Sequence, residues 1–427
     1  MSEVKDRLGR IVAVAAPALM VAALVPQATV AHASPTAHAR VVVEWNRALL
    51  AALTAAQAPP PPAMRAAAIV SSSVFDAVNG ITHRYTPYAV TARAPRGASP
   101  RAAAAAAAHR SLVSLFPARR AELDALLATT LAGLPPRERN SGAVEWGISV
   151  ADTILARRAH DGFTTEPPAY EISPTIGRWQ PTPPAFPPAP AFRQFAAMTP
   201  WALTSPAQFV PPAPPGLTSA RYARDFAEVR ARGAATGAER TTFDTETAVF
   251  WQSTTPVVLW DPVADTLIGR HRLDLTDAAL LLAQVNIAMA DTVIAVWHAK
   301  NYFDTWRPIT AIHGAALDGN PRTEADPRWQ PVLVTPAFQE YPAGHPAVSQ
   351  AAAAVLAHRF GDRTGYTLVS PGQPGVTRTL RSFSGGVAQV TDARILGGIH
   401  FRFACDAATE LGREVAAYVE ATQMRRR

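Results

Sequence analysis

A lysine and an arginine lie seven residues apart in the segment KNYFDTWRP, at the end of a long apolar stretch. If the helix predicted for that stretch reaches Arg307, this spacing of nearly two turns places Lys300 and Arg307 on one helix face, and the Arg-Pro step then ends the helix. Such a pair could bind a group with several negative oxygens, because arginine offers a planar fork of donors and lysine a point charge. The alternative is a solvated basic face on which Lys300 pairs with Asp304.

The segment PAGHP directly precedes a predicted alanine-rich helix. Pro346 suits the first helical position, which makes His345 the N-cap residue. The free backbone N–H groups of a helix start bind anions, and Gly344 lets a ligand approach the backbone closely. His345 would then lie beside the anion, where an imidazole can exchange protons near neutral pH. The alternative is a histidine that only caps its helix.

Arg394 and His400 lie six residues apart in the segment ARILGGIHF. On one continuous helix their side chains would point about 120° apart. The pair Gly397-Gly398 removes this conflict, because the arginine can lie in a turn while His400 begins the last helix. A single histidine in apolar surroundings is more often a core residue than a ligand, so His400 taken alone is weak evidence for a site.

Helices are predicted to position these residues. From residue 40 onward the chain shows helical apolar spacing and a long alanine run. Residues 166–215 are too rich in proline for regular helix, yet their five aromatic side chains favour an ordered loop over a disordered linker. We predict an all-α fold with two four-helix-bundle-like units. They are an amino-terminal helical region over 34–165 and a carboxy-terminal catalytic region over 239–427, joined by a Pro-rich loop over 166–238.

The amino terminus is typical of an export signal. Basic residues precede an apolar run, Ile11–Val25, and Ala31-His32-Ala33 offers a small-residue cleavage site. This run is shorter than the roughly 20 residues of a membrane span. We therefore predict a signal peptide over 1–33, cleaved near Ala33, and a secreted protein, with an uncleaved anchor as the alternative. No other stretch is predicted to span a membrane.

The composition excludes several classes of function. The net charge of +7 is not concentrated in basic runs, apart from the terminal Arg425-Arg426-Arg427, so nucleic-acid binding is not expected. The single cysteine, Cys405, rules out an intramolecular disulfide and a zinc site built from cysteines. A hydrophobic content of 48% provides for a large core.

Taken in order, the patterns Lys-x6-Arg-Pro, Pro-x-Gly-His and Arg-x5-His resemble the signature of the vanadium-dependent haloperoxidases. Their relatives, the type 2 phosphatidic acid phosphatases and the bacterial acid phosphatases, share this signature. The resemblance covers residues 240–420 and, more loosely, 40–160. It implies a vanadate cofactor in a pocket that could also accept phosphate. The implied anion-binding residues are Lys300, Arg307, Gly344, Arg394 and His400.

The resemblance also implies individual roles. His400 corresponds to the axial vanadium ligand, or to the phosphoryl acceptor of a phosphatase, and His345 to the acid–base histidine. Lys300 corresponds to the residue that polarises bound peroxide for attack by a halide. Phe338 stands where the fungal chloroperoxidase type has phenylalanine and the algal bromoperoxidases have histidine, and Trp297 also matches the chloroperoxidase type. These two residues are the candidate halide pocket.

The chain departs from the family pattern at three places. Ala343 stands where most members have a serine that bonds the oxyanion, which predicts weaker cofactor binding. Ala393 replaces a common serine. Ala404 occupies the usual position of an acidic residue four after the last histidine, with Asp406 two further on, which leaves carboxylate support of His400 open.

The resemblance implies a chloride or bromide peroxidase that uses hydrogen peroxide, a halide and a small organic substrate. One alternative is an acid phosphatase that uses the same pocket through a phosphohistidine. Another is a non-halogenating homologue, or a protein that only binds phosphate or vanadate. The oligomeric state is left open between a monomer and a homodimer.

Overall fold

The computed structural model describes residues 39–139 and 142–427, so the predicted signal peptide over 1–33 lies outside the described residues. The described residues belong to one compact, mainly helical unit, and the all-α prediction is confirmed. The helices are α1 (Arg40–Ala55), α2 (Pro60–Thr82), α3 (Pro100–Leu115), α4 (Arg120–Ala132), α5 (Pro136–Arg139), α6 (Ala143–Arg158), α7 (Ala220–Arg232), α8 (Thr242–Gln252), α9 (Pro256–Arg270), α10 (Leu275–Phe303), α11 (Pro308–His313), α12 (Gly344–Phe360), α13 (Phe383–Leu396) and α14 (Arg402–Thr422). A small antiparallel hairpin, β1 (Tyr366–Val369) and β2 (Thr377–Leu380), pairs Tyr366 with Leu380.

Helix α10 is the central element of the fold. Its start is fixed by Asp274, whose side chain accepts a hydrogen bond from the backbone N–H of Asp277. Apolar residues cover most of its circumference, as expected for a helix enclosed by others, and it packs against α2, α12 and α14. By length and composition α10 could cross a membrane, which corrects the prediction that no such stretch exists beyond the amino terminus. Of its most apolar window, 89% is buried inside the protein, so here it forms the core.

Helices on either side of α10 pack unusually closely because their contact faces carry small residues. The alanine run of α3, from Ala102 to Ala108, is fully buried against α2 and α6. Helix α14 approaches α12 so closely that a Cβ at Gly412 would lie 2.1 Å from the carbonyl oxygen of Ala347. This close packing holds together the start of α12, which contains His345, and the start of α14, which follows His400.

The Pro-rich segment is an ordered structure that covers the helices. Its side chains Trp179, Phe195 and Trp201 are buried, as the aromatic content predicts. The loop over 166–238 needs one correction, because α7 lies within it. Ser219 caps this helix by accepting a hydrogen bond from the backbone N–H of Tyr222. Helical structure thus returns earlier than the expected position near Glu239.

Candidate active site

Lys300 lies in the last turn of α10 and is completely buried. Its Nζ donates to the carbonyl oxygens of Gln339 at 2.6 Å and Glu340 at 3.1 Å. Burial, followed by the nearby charge of Arg307, holds the pKa of Lys300 well below its usual value. The solvated alternative is therefore wrong: Asp304, its suggested partner, accepts instead from the hydroxyl of Tyr170 at 2.8 Å.

Arg307 is not on the same helix as Lys300. Helix α10 ends at Phe303, and Asp304 follows it in the left-handed region with a φ of 50°. Arg307 is then the N-cap residue of α11. The prediction of a shared helix face is wrong, because α10 ends before Arg307. The two cations still converge, since the Arg307 Nε donates to the carbonyl oxygen of Phe338 at 2.6 Å, next to the residues that hold Lys300.

Arg394 reaches the same site from α13. It lies in the last turn of that helix and not in a turn after it, because α13 continues to Leu396 before the Gly397-Gly398 pair. Its Nη1 donates to Oε1 of Gln252, at the end of α8, at 2.6 Å. The side chain is buried, and this burial lowers the pKa of Arg394 to about 10.

Part of the donor capacity of both arginines is unused. Among the described residues, no hydrogen-bond partner is found for Nη2 of Arg307 or for Nε and Nη2 of Arg394, although all three atoms are buried. The two arginines are held mainly by neutral carbonyl and amide oxygens. Buried polar groups are normally paired. Arg394 lines the same cavity as Gly344 and His400, so its unpaired donors favour an anion at this place.

The start of α12 supplies further donors. The helix begins at Gly344, with Ala343 as N-cap residue and no side-chain cap. The prediction of His345 as N-cap is wrong by two residues, because Pro346 is the third helical residue and not the first. The first-turn N–H groups of a helix have no partners within that helix. With the helix dipole they favour a negative charge at this end.

His345 is partly exposed and lines the same cavity as Gly344, Arg394 and His400. Burial, and then the positive charges of Arg394, Arg307 and Lys300, hold the pKa of His345 well below its usual value. The imidazole is thus neutral at neutral pH, with one ring nitrogen that can accept a proton. This state suits a base next to a cationic site.

His400 precedes α14 and is held from two sides. Its Nε2 lies 3.1 Å from Nη1 of Arg307 and its Nδ1 lies 3.1 Å from Oε1 of Glu340. Because an arginine can only donate, Nε2 accepts and the proton lies on Nδ1, facing the carboxylate. Burial and the charges of Arg307, Lys300 and Arg394 hold the pKa of His400 well below its usual value. The result is a neutral histidine with a ring lone pair toward the cations.

Gly344, His345, Arg394 and His400 line one cavity, together with Trp297 and Phe338. One wall is apolar: the rings of Trp297 and Phe338 lie 5.2 Å apart, and Phe192 from the Pro-rich segment packs on Trp297 at 6.3 Å. Lys300 Nζ lies 5.2 Å and the Arg307 guanidinium 4.9 Å from the Phe338 ring centroid. The predicted halide-pocket residues thus lie beside the predicted anion-binding residues.

The donor set fits a small, multiply charged oxyanion. Arg394, with unpaired N–H donors, and the uncapped helix start at Gly344 line one cavity with His400. Arg307 lies next to this cavity, with Nη1 at 3.1 Å from Nε2 of His400. Fixed donors in a site shielded from water bind such an anion without reorganisation. Vanadate and phosphate both have this shape and charge.

Comparisons with known proteins agree with this geometry. The VCPO second helical-bundle domain, as a family model, matches residues 280–426. A solved structure described as the first bacterial vanadium-dependent iodoperoxidase is 25% identical with a TM-score of 0.80, covering 91% of this chain and 97% of that chain. The family model and this solved structure both support the vanadium-dependent haloperoxidase family.

A second solved structure shares the fold. The holo-type structure of a bacterial vanadium-dependent chloroperoxidase is 19% identical with a TM-score of 0.68, over 83% of this chain and 90% of that chain. Its apo-type structure gives the same score and identity, over 83% and 92%. No curated protein matches the chain.

Glu340 and Gln252 hold site residues from outside the three motifs and were not predicted. A carboxylate was expected after His400, but Asp406 lies at the surface, 3.3 Å from Arg221, and Ala404 is buried. The carboxylate comes instead from Glu340. Burial raises the pKa of the Glu340 carboxyl to about 7. Its place two residues before the Pro-x-Gly-His motif was the only available signal.

Proposed function

We propose that the protein is a vanadium-dependent haloperoxidase that uses hydrogen peroxide to oxidise chloride or bromide and so halogenates a small organic substrate. The observation that carries this proposal is the set of unpaired, buried arginine donors around a neutral histidine nitrogen. The match of residues 280–426 to the family model and the similarity to an iodoperoxidase structure support the same proposal.

In this proposal His400 holds vanadate through Nε2, and Lys300, Arg307, Arg394 and the start of α12 at Gly344 donate to its oxygens. The chemistry that vanadate supplies when bound is activation of hydrogen peroxide for oxidation of a halide. The protein's contribution is electrostatic, because the fixed cations stabilise negative charge in a cavity that excludes most water.

His345 acts as the acid–base residue. Hydrogen peroxide must lose protons when it enters the site, and a neutral imidazole on the cavity wall can accept one. His345 can return this proton to an oxygen that leaves as water. Lys300 is held by two carbonyl oxygens and so keeps its ammonium group fixed beside the reacting oxygens.

The apolar wall selects the second substrate. Trp297, Phe338 and Phe192 offer ring edges and faces but few polar atoms, which suits a weakly hydrated halide and then an electron-rich organic molecule. The proposed choice of chloride or bromide is based on Trp297 and Phe338. Iodide is the competing halide, because one structural relative is described as an iodoperoxidase.

The test is halogenation by protein reconstituted with vanadate. With peroxide and chloride, bromide or iodide, it should halogenate a phenol or 1,3-diketone reporter. Inactivity with all three halides would overturn the proposal. Vanadate-inhibited hydrolysis of an aryl phosphate would then point to a phosphatase, and tight phosphate binding without turnover to a binding protein.

Two variants test the assigned roles. His400→Ala should lose vanadate loading, whereas His345→Ala should load vanadate and lose halogenation. His313→Ala is a matched control, because His313 lies at the end of α11 and contacts the carbonyl oxygen of Trp329 instead of the cavity. Normal halogenation by His345→Ala would show that its role is wrong.

A further inference from the structure

Glu340 links two parts of the anion site. Its backbone carbonyl oxygen accepts from Nζ of Lys300 at 3.1 Å, and its Oε1 lies 3.1 Å from Nδ1 of His400. The same Oε1 accepts from the backbone N–H of Phe401 at 2.9 Å. The side chain is 1% exposed, so these contacts are not weakened by solvent.

We infer that Glu340 is the positioning residue of His400: it fixes the proton on Nδ1 and raises the electron density at Nε2. This inference rests on the proposed function, in which Nε2 binds vanadium. A carboxylate behind a metal-binding histidine orients the ring and makes it a stronger ligand, and loss of such a partner typically weakens metal binding by about 10–100-fold. The structure supplies this partner from a segment sixty residues away.

The same charge has the opposite effect on an anion that does not bond to the histidine. Phosphate is held by hydrogen bonds and cations alone, so the negative charge of Glu340 opposes its binding. Removing that charge should therefore weaken the binding of vanadate but not the binding of phosphate. General damage to the pocket would weaken both.

The experiment compares Glu340→Gln with the wild-type protein. Glutamine keeps an oxygen that can accept from Phe401 and His400 but removes the charge. We expect the Kd for vanadate to rise about tenfold or more and the Kd for phosphate to stay the same or fall. Glu340→Asp, which restores the charge, should recover part of the vanadate affinity.

Asp225→Asn is the matched control. Asp225 is also buried, and its Oδ2 accepts from the backbone N–H of Phe403 at 2.9 Å, in the same segment, without contacting His400. This variant should leave the vanadate-to-phosphate ratio unchanged. Equal weakening of both anions in Glu340→Gln, or an unchanged vanadate Kd, would overturn the inference.

A ligand-free measurement keeps this inference separate from the proposed function. Nitrogen NMR of histidine-labelled protein should show His400 protonated at Nδ1, and Glu340→Gln should shift this tautomer balance. Absence of halogenation would leave that result intact. A His400 signal that is identical in the two proteins would refute the positioning role even if the enzyme halogenates.

A second, independent observation concerns Met64, in α2. Its side chain is 1% exposed and lines the cavity with His345, His400 and Trp297. The other methionines among the described residues are buried and do not line this cavity. They are Met198, Met289 and Met424. A thioether is a soft, readily oxidised group.

We propose that Met64 is the site at which the enzyme oxidises itself, a proposal that rests on the proposed function. The sulfur lone pair attacks the halogen of hypohalous acid and hydroxide leaves. Water then adds oxygen to the sulfur and halide departs. The products are methionine sulfoxide, halide and a proton, so sulfur loses the two electrons that the halogen gains.

Peptide mapping by mass spectrometry tests this proposal. During turnover with bromide and peroxide, Met64 should gain one oxygen faster than Met289, and Met64→Leu should slow the loss of activity with turnover. Equal rates at Met64 and Met289 would overturn the proposal. If no reporter is halogenated, the proposed function fails, and limiting hypobromous acid added from solution tests the same ranking of Met64 over Met289.

Discussion

Two regions of this protein bury charged side chains in opposite ways. On the side of α10 that faces the Pro-rich segment, Asp291 accepts from the backbone N–H groups of Trp201 at 2.6 Å, Ala202 at 2.7 Å and Leu203 at 2.9 Å. The carboxylate of Asp291 thus accepts hydrogen bonds from three consecutive backbone N–H groups of this loop. The carboxylate therefore holds the Pro-rich segment to the central helix.

Near the carboxy-terminal end of α10, buried charged side chains lack some of their hydrogen-bond partners. Arg307 and Arg394 keep donors without partners among the described residues, and Lys300 is held by carbonyl oxygens. A buried charge whose bonds are complete supports the fold, whereas one with open bonds lowers stability unless a ligand completes them. This contrast between Asp291 and the two arginines can be tested with variants.

The largest effect is expected for Asp291→Ala. Each buried donor left without an acceptor costs about 1–3 kcal/mol, so the three N–H groups should lower the free energy of unfolding by at least about 3 kcal/mol. Urea denaturation measures this loss. Asp291→Asn keeps one acceptor and should lose less, and phosphate affinity of the folded protein should not change. A loss below about 1 kcal/mol would contradict the structural role.

Asp261, in α9, is an intermediate case, because one oxygen of its buried carboxyl has a partner and the other has none among the described residues. Asn286 donates to its Oδ2 at 3.1 Å, and no partner is found for Oδ1 among the described residues. Burial raises the pKa of Asp261 to about 7. The folded protein thus prefers the protonated carboxyl. The contribution to stability is complete below the ordinary pKa near 4 and is lost as the pH rises through 7.

Asp261→Asn should remove this pH dependence. The free energy of unfolding of the wild-type protein should fall between pH 5 and 8, and the fall should be smaller in the variant by about 2–3 kcal/mol, given about 1.4 kcal/mol for each pKa unit. Urea denaturation at both pH values measures the difference. Asp152→Asn, at an exposed position, is the control. Parallel pH profiles in wild type and Asp261→Asn would refute this account.

Arg394→Met tests the region in which buried arginines lack hydrogen-bond partners. Loss of charge-assisted hydrogen bonds worth about 1.5–3 kcal/mol should raise the phosphate Kd about 10–100-fold. The ligand-free protein should be no less stable, because an incompletely bonded buried cation is replaced by an apolar side chain of similar length. Arg402→Met is the matched control, since Arg402 is paired with Glu228 and Asp392. A marked loss of ligand-free stability in Arg394→Met would break the comparison.

The sequence predicted the residue types of the site but not how the chain brings them together. Lys300 and His400 were identified because the three motifs, taken in order, resemble a known family signature, whereas each motif alone was weak evidence. The helix ends were misplaced: Arg307 follows a left-handed residue at Asp304, and Arg394 lies inside a helix. Periodicity identifies a helix well and its last turn poorly.

Glu340 could not be predicted because its contact depends on tertiary structure. It lies sixty residues from His400 along the chain, and no local pattern relates two such positions. Gln252 could not be predicted for the same reason, because it lies 142 residues from Arg394 along the chain. The α7 helix was missed because proline-rich sequence on its amino-terminal side concealed its own helical pattern, which begins after the Ser219 cap.

The smallest expected effect comes from Ala343→Ser. Ala343 is fully buried at the N-cap position of α12, which has no side-chain cap. A serine there can cap the helix, which stabilises proteins by about 0.5–2 kcal/mol, or donate to the bound anion for about 0.5–1.5 kcal/mol. We expect phosphate to bind about 2–10-fold more tightly if the hydroxyl faces the anion.

Thermal unfolding with and without phosphate separates the two outcomes for Ala343→Ser. A cap raises the ligand-free Tm, whereas an anion contact raises only the additional stabilisation by phosphate. Ala393→Ser is the control, because Ala393 lies in α13 and does not line the cavity. If the hydroxyl introduced by Ala343→Ser faces the anion, it adds a hydrogen bond to phosphate. Phosphate then stabilises the variant more than the wild-type protein. Weaker phosphate binding would mean that the start of α12 does not face the anion.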